Sequence, residues 1–215
     1  MKVLVACEFS GIVRDAFISR GHLAVSCDLL PSESSKGIHY QEDVLCGLLY
    51  ENWDLMIAHP PCTYLSNAGA RFLYPKGILD QNRLRRGLEA KGLFMHLWNA
   101  EIPKICIENP IPSKIFGLPE KTQFIQPYWF NHPVQKKTYL WLKGLPKLKP
   151  TSILEKPEST KIAGNWFNKG GKDRQKNRAR TFPGIAAAMA EQWGKPQEVK
   201  AVTPYGIIET EGKTK

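Results

Sequence analysis

The chain of 215 residues lacks any apolar run approaching the ~18 residues that a membrane span requires. Its first apolar stretch, Met1–Cys7, is cut by Glu8, too early for a secretory leader, so a membrane location is not expected. Paired cysteines are also missing. Cys7, Cys27, Cys46, Cys62 and Cys106 are far apart and do not cluster with the five histidines, which argues against a zinc site. Their odd number suits a reducing compartment, and a cytoplasmic location is expected. Internal repeats are absent, so solenoid architectures are excluded.

Acidic residues are scarce in one place. Lys136–Arg180 holds 13 Lys and Arg against 3 acids, while the rest balances at 17 against 17. The whole net charge of +10 is therefore carried by one segment, the pattern of a surface that meets a polyanion. Nucleic acid is the default partner. With 42% hydrophobic and 23% charged residues, the rest is an ordinary globular domain.

Short Val- and Ile-rich runs at Lys2–Cys7, Leu23–Cys27, Trp53–Ala58 and Lys104–Ile107 read as buried strands. Helical spacing appears in Ile12–Arg20, closed by Gly21, and in Arg83–Trp98 through Leu84, Leu88, Lys91 and Phe94. A further helix is expected at Pro183–Trp193, with Ile185, Met189 and Trp193 on one face. Phe124–Phe130 and Thr138–Leu142 read as a strand pair, and Lys169–Arg180 as a loop. Alternating strands and helices predict an α/β fold with a mostly parallel sheet. The expected division is a catalytic domain at 1–142 plus 181–195, a short basic segment at 143–180 and a tail at 196–215.

In such sheets ligands bind beyond the carboxyl ends of the strands. There the chain places Glu8-Phe9-Ser10-Gly11, then Asp28, Gln41-Glu42-Asp43, His59-Pro60-Pro61-Cys62 and Glu108-Asn109-Pro110. Gly11 permits close backbone approach, and Asp28 follows about 20 residues on, the spacing of a ribose-binding acid. Two prolines stiffen the backbone before Cys62, which would be held outward on the rim. Burial of Glu108 would raise its carboxyl pKa and suit it to proton exchange with a base nitrogen.

Together these turns resemble the DNA cytosine-5 methyltransferases, specifically compact phage or mobile-element variants. Phe9-Ser10-Gly11 resembles the family's cofactor turn, Pro60-Pro61-Cys62 its nucleophile motif, and Glu108-Asn109-Pro110 its Glu-Asn-Val motif. Pro133–Tyr139 is similar to its Gln-x-Arg-x-Arg strand, with Lys137 and Tyr139 at the arginine places. Thr181–Ile185 looks like the turn into its last helix. Val13 replaces the second cofactor glycine.

The resemblance implies a Rossmann-like methyltransferase fold, S-adenosylmethionine as cofactor and double-stranded DNA as partner. Cys62 would attack C6 of a flipped cytosine and Glu108 would hold the ring, from a thiolate favoured by nearby positive charge. Glu8, Phe9, Ser10, Gly11, Asp28, Asp43 and Pro60 would meet the cofactor. Ser66, Asn67 and Arg71, on a mobile loop at Thr63–Lys76, would reach DNA, with Lys136, Lys137, Lys172, Arg174, Arg178 and Arg180. Trp141, Trp166 and Phe167 are candidates for base stacking or for a small core.

Three other readings stay open. An amino-methyltransferase would carry an aromatic residue where Cys62 stands. An inactive relative would bind DNA through the basic segment alone. A related enzyme would apply the same thiol to another one-carbon donor or to a nucleotide.

Overall fold

The computed structural model describes residues 1–157, 174–195, 202–203 and 206–207. Trp166, Phe167 and Lys172 lie outside these, as do the side chain of Arg174 and most of the expected tail.

The chain runs β1 (Lys2–Ala6), α1 (Ile12–Ile18), β2 (Leu23–Cys27), β3 (Ile38–Tyr40), β4 (Leu55–Ala58), α2 (Asn67–Ala70) and α3 (Gln81–Asn99). It continues through β5 (Lys104–Pro110), β6 (Gln123–Ile125), β7 (Thr138–Lys143), α4 (Arg174–Ala179) and α5 (Pro183–Trp193), and ends in a small pair, β8 (Val202–Thr203) and β9 (Gly206–Ile207). The main sheet has the order β3-β2-β1-β4-β5-β7-β6. Only β7 runs antiparallel to its neighbours; all other pairings in this sheet are parallel. The fold is Rossmann-like α/β with a mostly parallel sheet, as expected.

Strand alternation splits the core between two faces. Val3, Val5, Leu55 and Ile57 face α1 and α5, where Val13, Phe17, Ile185, Met189 and Trp193 are buried. Leu4, Met56, Ile105 and Ile107 face α3, with Phe94 and Leu97. With both faces covered, the strands carry continuous apolar runs rather than alternating polar residues. The strand order reverses between β1 and β4, the position at whose carboxyl ends open α/β sheets bind their ligands.

Several local expectations are corrected. Leu88 is 54% exposed; α3 instead buries Gly87, Phe94 and Leu97. Residues 174–179 form a helix rather than a loop, one rich in good helix formers. β5 does not stop at Ile107. It runs through Pro110 because β7 pairs Glu108 with Leu140 and Asn109 with Tyr139. β6 is short because a 3-10 turn at Pro127–Trp129 replaces its second half, where Pro127 has no N–H for a ladder. Residues 63–76 are not a plain loop: Leu65 and Leu73 are buried around α2. The start of the basic segment packs into the hydrophobic core, where Leu148 is buried and its N–H donates to Gln123 Oε1 at 2.7 Å.

Candidate active site

The carboxyl ends of β1, β4 and their neighbours gather most of the chemistry read from the sequence. After β1, Glu8 is 4% exposed, and its carboxylate accepts the N–H groups of Val13 at 2.7 Å and Arg14 at 3.2 Å. Ser10 Oγ donates to the same carboxylate at 3.2 Å. Glu8 therefore satisfies two N–H groups of the first turn of α1. Gly11 has φ 73, and a Cβ there would meet the Arg14 guanidinium and Ser34. Phe9 is buried, under the Lys176 ammonium at 5.3 Å and the Arg180 guanidinium at 6.0 Å.

Asp28 ends β2 half-buried, with Oδ1 accepting the Leu30 N–H at 2.9 Å. Asp43 is exposed and accepts the Leu45 N–H at 3.0 Å. Both acids act on the Cys7 thiol, which burial first and then these charges push far above its ordinary value. Two carboxylates thus share the rim beside Cys7.

After β4, the N–H of His59 donates to the Ala6 carbonyl at 3.0 Å and so extends the sheet by one residue. Asn109 Nδ2 donates to the Pro60 carbonyl at 3.0 Å, tying β5 to the Pro-Pro-Cys turn. The Cys62 carbonyl accepts the Ser66 N–H at 3.0 Å. Cys62 is partly buried on the rim.

Glu108 lies against His59, with Nδ1 and Oε2 3.3 Å apart and both side chains 10% exposed. That separation makes a close ion pair rather than a well-formed hydrogen bond, and Oε2 has no other partner. Burial drives the Glu108 carboxyl upward, but His59, the Lys136 charge and the Thr181 hydroxyl together hold it below its ordinary value. The rise expected from burial alone is overturned by these neighbours. Burial likewise opposes charge on His59, yet Glu108 and Glu8 raise its pKa.

The expected lowering of the Cys62 pKa is also corrected. Burial pushes the thiol up, while the positive charges of Lys136 and Arg178 pull it down. Two cations are thus placed to favour the thiolate against burial. Burial lowers the Lys136 pKa, and the Glu108 and Cys62 charges oppose that shift.

Sequence reasoning misses His59, Thr181 and the placement of Lys136 on the catalytic side. Lys137, at the arginine place of the resembled motif, is exposed and lies over Phe124 at 4.5 Å. His59 is legible only as the last residue before Pro60-Pro61, and that position is the signal for it.

Among the described residues, four buried side-chain polar atoms lack a hydrogen-bond partner: Arg14 Nη2, His59 Nε2, Glu108 Oε2 and Asn109 Oδ1. Three of them sit at the carboxyl ends of β4 and β5. Leaving such a group unsatisfied costs about 1–3 kcal/mol, so their concentration marks a place built for a polar ligand.

No protein-family profile matches the chain, and no curated protein matches its sequence. One solved structure similar to it is an rRNA methylase from Escherichia coli. It shows 17% identity and a TM-score of 0.37 over 66% of this chain, which spans 56% of that protein's length.

The expected nucleic-acid contacts divide. Asn67 and Arg71 are exposed. Ser66 is 7% exposed, and its Oγ accepts the Gly69 N–H at 3.2 Å, so it caps α2. Arg178 is exposed, and its carbonyl accepts the Lys136 ammonium at 3.0 Å. Arg180 makes a two-pronged pair with Glu33, at 2.6 and 2.7 Å, and Lys176 joins the same carboxylate at 2.9 Å. Trp141 is fully buried, with Nε1 donating to the Pro119 carbonyl at 2.8 Å; it belongs to the core.

Proposed function

We propose that the chain is an S-adenosylmethionine-dependent DNA methyltransferase that modifies C5 of cytosine through Cys62. The observation that carries this reading is the grouping of Cys62, Glu108, His59 and Lys136 around unpartnered buried polar atoms at the sheet's reversal point.

The residues present fit the cofactor. Gly11 takes the left-handed turn after β1, Asp28 and Asp43 place carboxylates at the same end of the sheet, and Phe9, Ser10 and Pro60 stand in the neighbouring turns. When bound, S-adenosylmethionine supplies a methyl group carried on a sulfonium.

The protein's own residues do the rest. Cys62 gives up its proton, and its sulfur bonds to C6 of a cytosine flipped out of the stack. The C5=C6 electron pair shifts to C5, which would take the methyl group as its bond to the sulfonium sulfur breaks and leaves a neutral thioether. Glu108, a carboxylate at rest, takes up the proton that Cys62 releases, donates it to N3 and accepts from the exocyclic amine, while Lys136 and Arg178 favour the thiolate. A base then removes the C5 proton, the C6–sulfur bond breaks and Cys62 is regenerated.

Fluorine at C5 blocks the final proton loss. Incubation with the cofactor and mixed-sequence DNA containing 5-fluorocytosine is expected to yield a covalent complex, visible by denaturing gel and intact mass. Cys62→Ala should abolish it. Absence of adduct with cofactor binding intact would transfer the thiol chemistry to another donor or substrate. Absence of both would leave a DNA-binding relative without chemistry.

A further inference from the structure

The zero net charge outside residues 136–180 is an average that hides a second basic surface. Residues 71–91 carry six Lys and Arg against two acids. Folding of residues 63–80 against α3 stacks these charges on aromatic rings. Arg71 lies over Phe72 at 4.5 Å, and Arg83 lies over Phe72 at 5.2 Å and over Tyr64 at 5.1 Å. Arg86 lies over Tyr64 at 5.9 Å and donates to its hydroxyl at 2.8 Å. The result is a cluster of Arg71, Phe72, Arg83, Tyr64 and Arg86, whose first residue in the chain, Tyr64, follows closely on Cys62.

Aromatic rings that served only packing would be buried, but Phe72 and Tyr74 are each 51% exposed. Arg85 and Arg86 are exposed beside them. Stacking on a ring fixes the plane of a guanidinium and leaves outer N–H groups free for paired contacts to phosphate. An exposed ring next to such a fork offers a platform for an unstacked base.

We propose that this face is a second DNA-binding surface. Its arginines hold the backbone next to the target cytosine, and Phe72 stacks on a base displaced when the target leaves the helix. This rests on the reading of the chain as a DNA-directed enzyme. DNA would then be gripped from both sides of Cys62, by this surface and by the basic segment.

The test is fluorescence anisotropy of the full chain on a labelled duplex, fully paired or with one unpaired cytosine, over a salt series. Arg85→Gln/Arg86→Gln is expected to bind about tenfold more weakly near 0.1 M salt, with a log–log salt slope shallower by about 2, roughly 0.9 for each phosphate no longer neutralised. Arg85→Lys/Arg86→Lys should keep the slope, and thermal melting should not change. Phe72→Leu should lose any preference for the duplex with the unpaired base. If wild type binds and the glutamine variant matches it in affinity and slope, the surface is overturned while the proposed function stands. If Phe72→Leu keeps the preference, stacking is overturned. If wild type binds neither duplex at low salt, the proposed function fails and this surface fails with it.

Discussion

At the scale of single residues, the centre of the molecule is a buried charge cluster of Glu8, His59 and Glu108, with Lys136 beside it. The raised His59 pKa contributes stability that is full below its ordinary 6.5 and is lost as pH rises through the value in the fold. The depressed Glu108 pKa contributes stability that is full above its ordinary 4.5 and is lost as pH falls through the value in the fold. Both contributions are whole only between these pH values. Glu8, raised mainly by burial, also loses stability as pH rises. Urea midpoints of the wild type should therefore decline above pH 6.5. His59→Gln leaves Glu108 buried without its counter-charge and should cost about 3–5 kcal/mol near pH 6. The variant's remaining alkaline decline should be shallower, because a glutamine does not titrate. An unchanged slope in the variant would mean that the pair is not what the titration reports.

At the scale of elements, packing of α3 depends on the smallest side chain. Gly87 sits against the Phe116 ring, and a Cβ there would overlap it. Phe116 is 4% exposed and has little room to move. Gly87→Ala gains helix propensity but overpacks this contact. A net loss of about 1–3 kcal/mol is expected, read from denaturant unfolding. If the variant were more stable, α3 and the turn holding Phe116 would not be packed as described. The same scale separates two neighbouring cations. Side-chain parity along β7 and the residues before it depends on where pairing begins, and β5 pairs with β7 from Pro110 and Thr138 onward. Lys136 and Lys137, read together from the sequence as nucleic-acid contacts, part company just before that pairing: Lys136 acts on Cys62 and Glu108, while Lys137 is exposed over Phe124.

At the scale of the whole molecule, the basic segment is tied to the turns that follow β1 and β2. Glu33 holds both Lys176 and Arg180, and its own N–H donates to the Phe9 carbonyl at 2.9 Å. The two cations hold the Glu33 carboxyl below its ordinary value. Glu33→Gln should loosen α4 without unfolding the sheet. Limited trypsin digestion is expected to cut several-fold faster after Lys176, Arg178 and Arg180, with the melting temperature nearly unchanged. Equal cleavage rates would show that the carboxylate does not restrain the segment.

What the sequence determined by itself follows from local physics. Apolar runs of strand length, helical spacing in Pro183–Trp193 and turns at strand ends all reflect neighbours in the chain. They were enough to establish the α/β class and to put Cys62 and Glu108 on one rim. Tertiary structure decided the rest, because pKa and partner choice depend on residues distant in sequence. Whether Glu108 is raised by burial or held down by His59 turns on β4 lying beside β5. Whether Cys62 meets Lys136 and Arg178 turns on two segments more than 70 residues away. The arginine–aromatic cluster was likewise hidden, since only folding of residues 63–80 onto α3 brings its charges together and leaves its rings exposed.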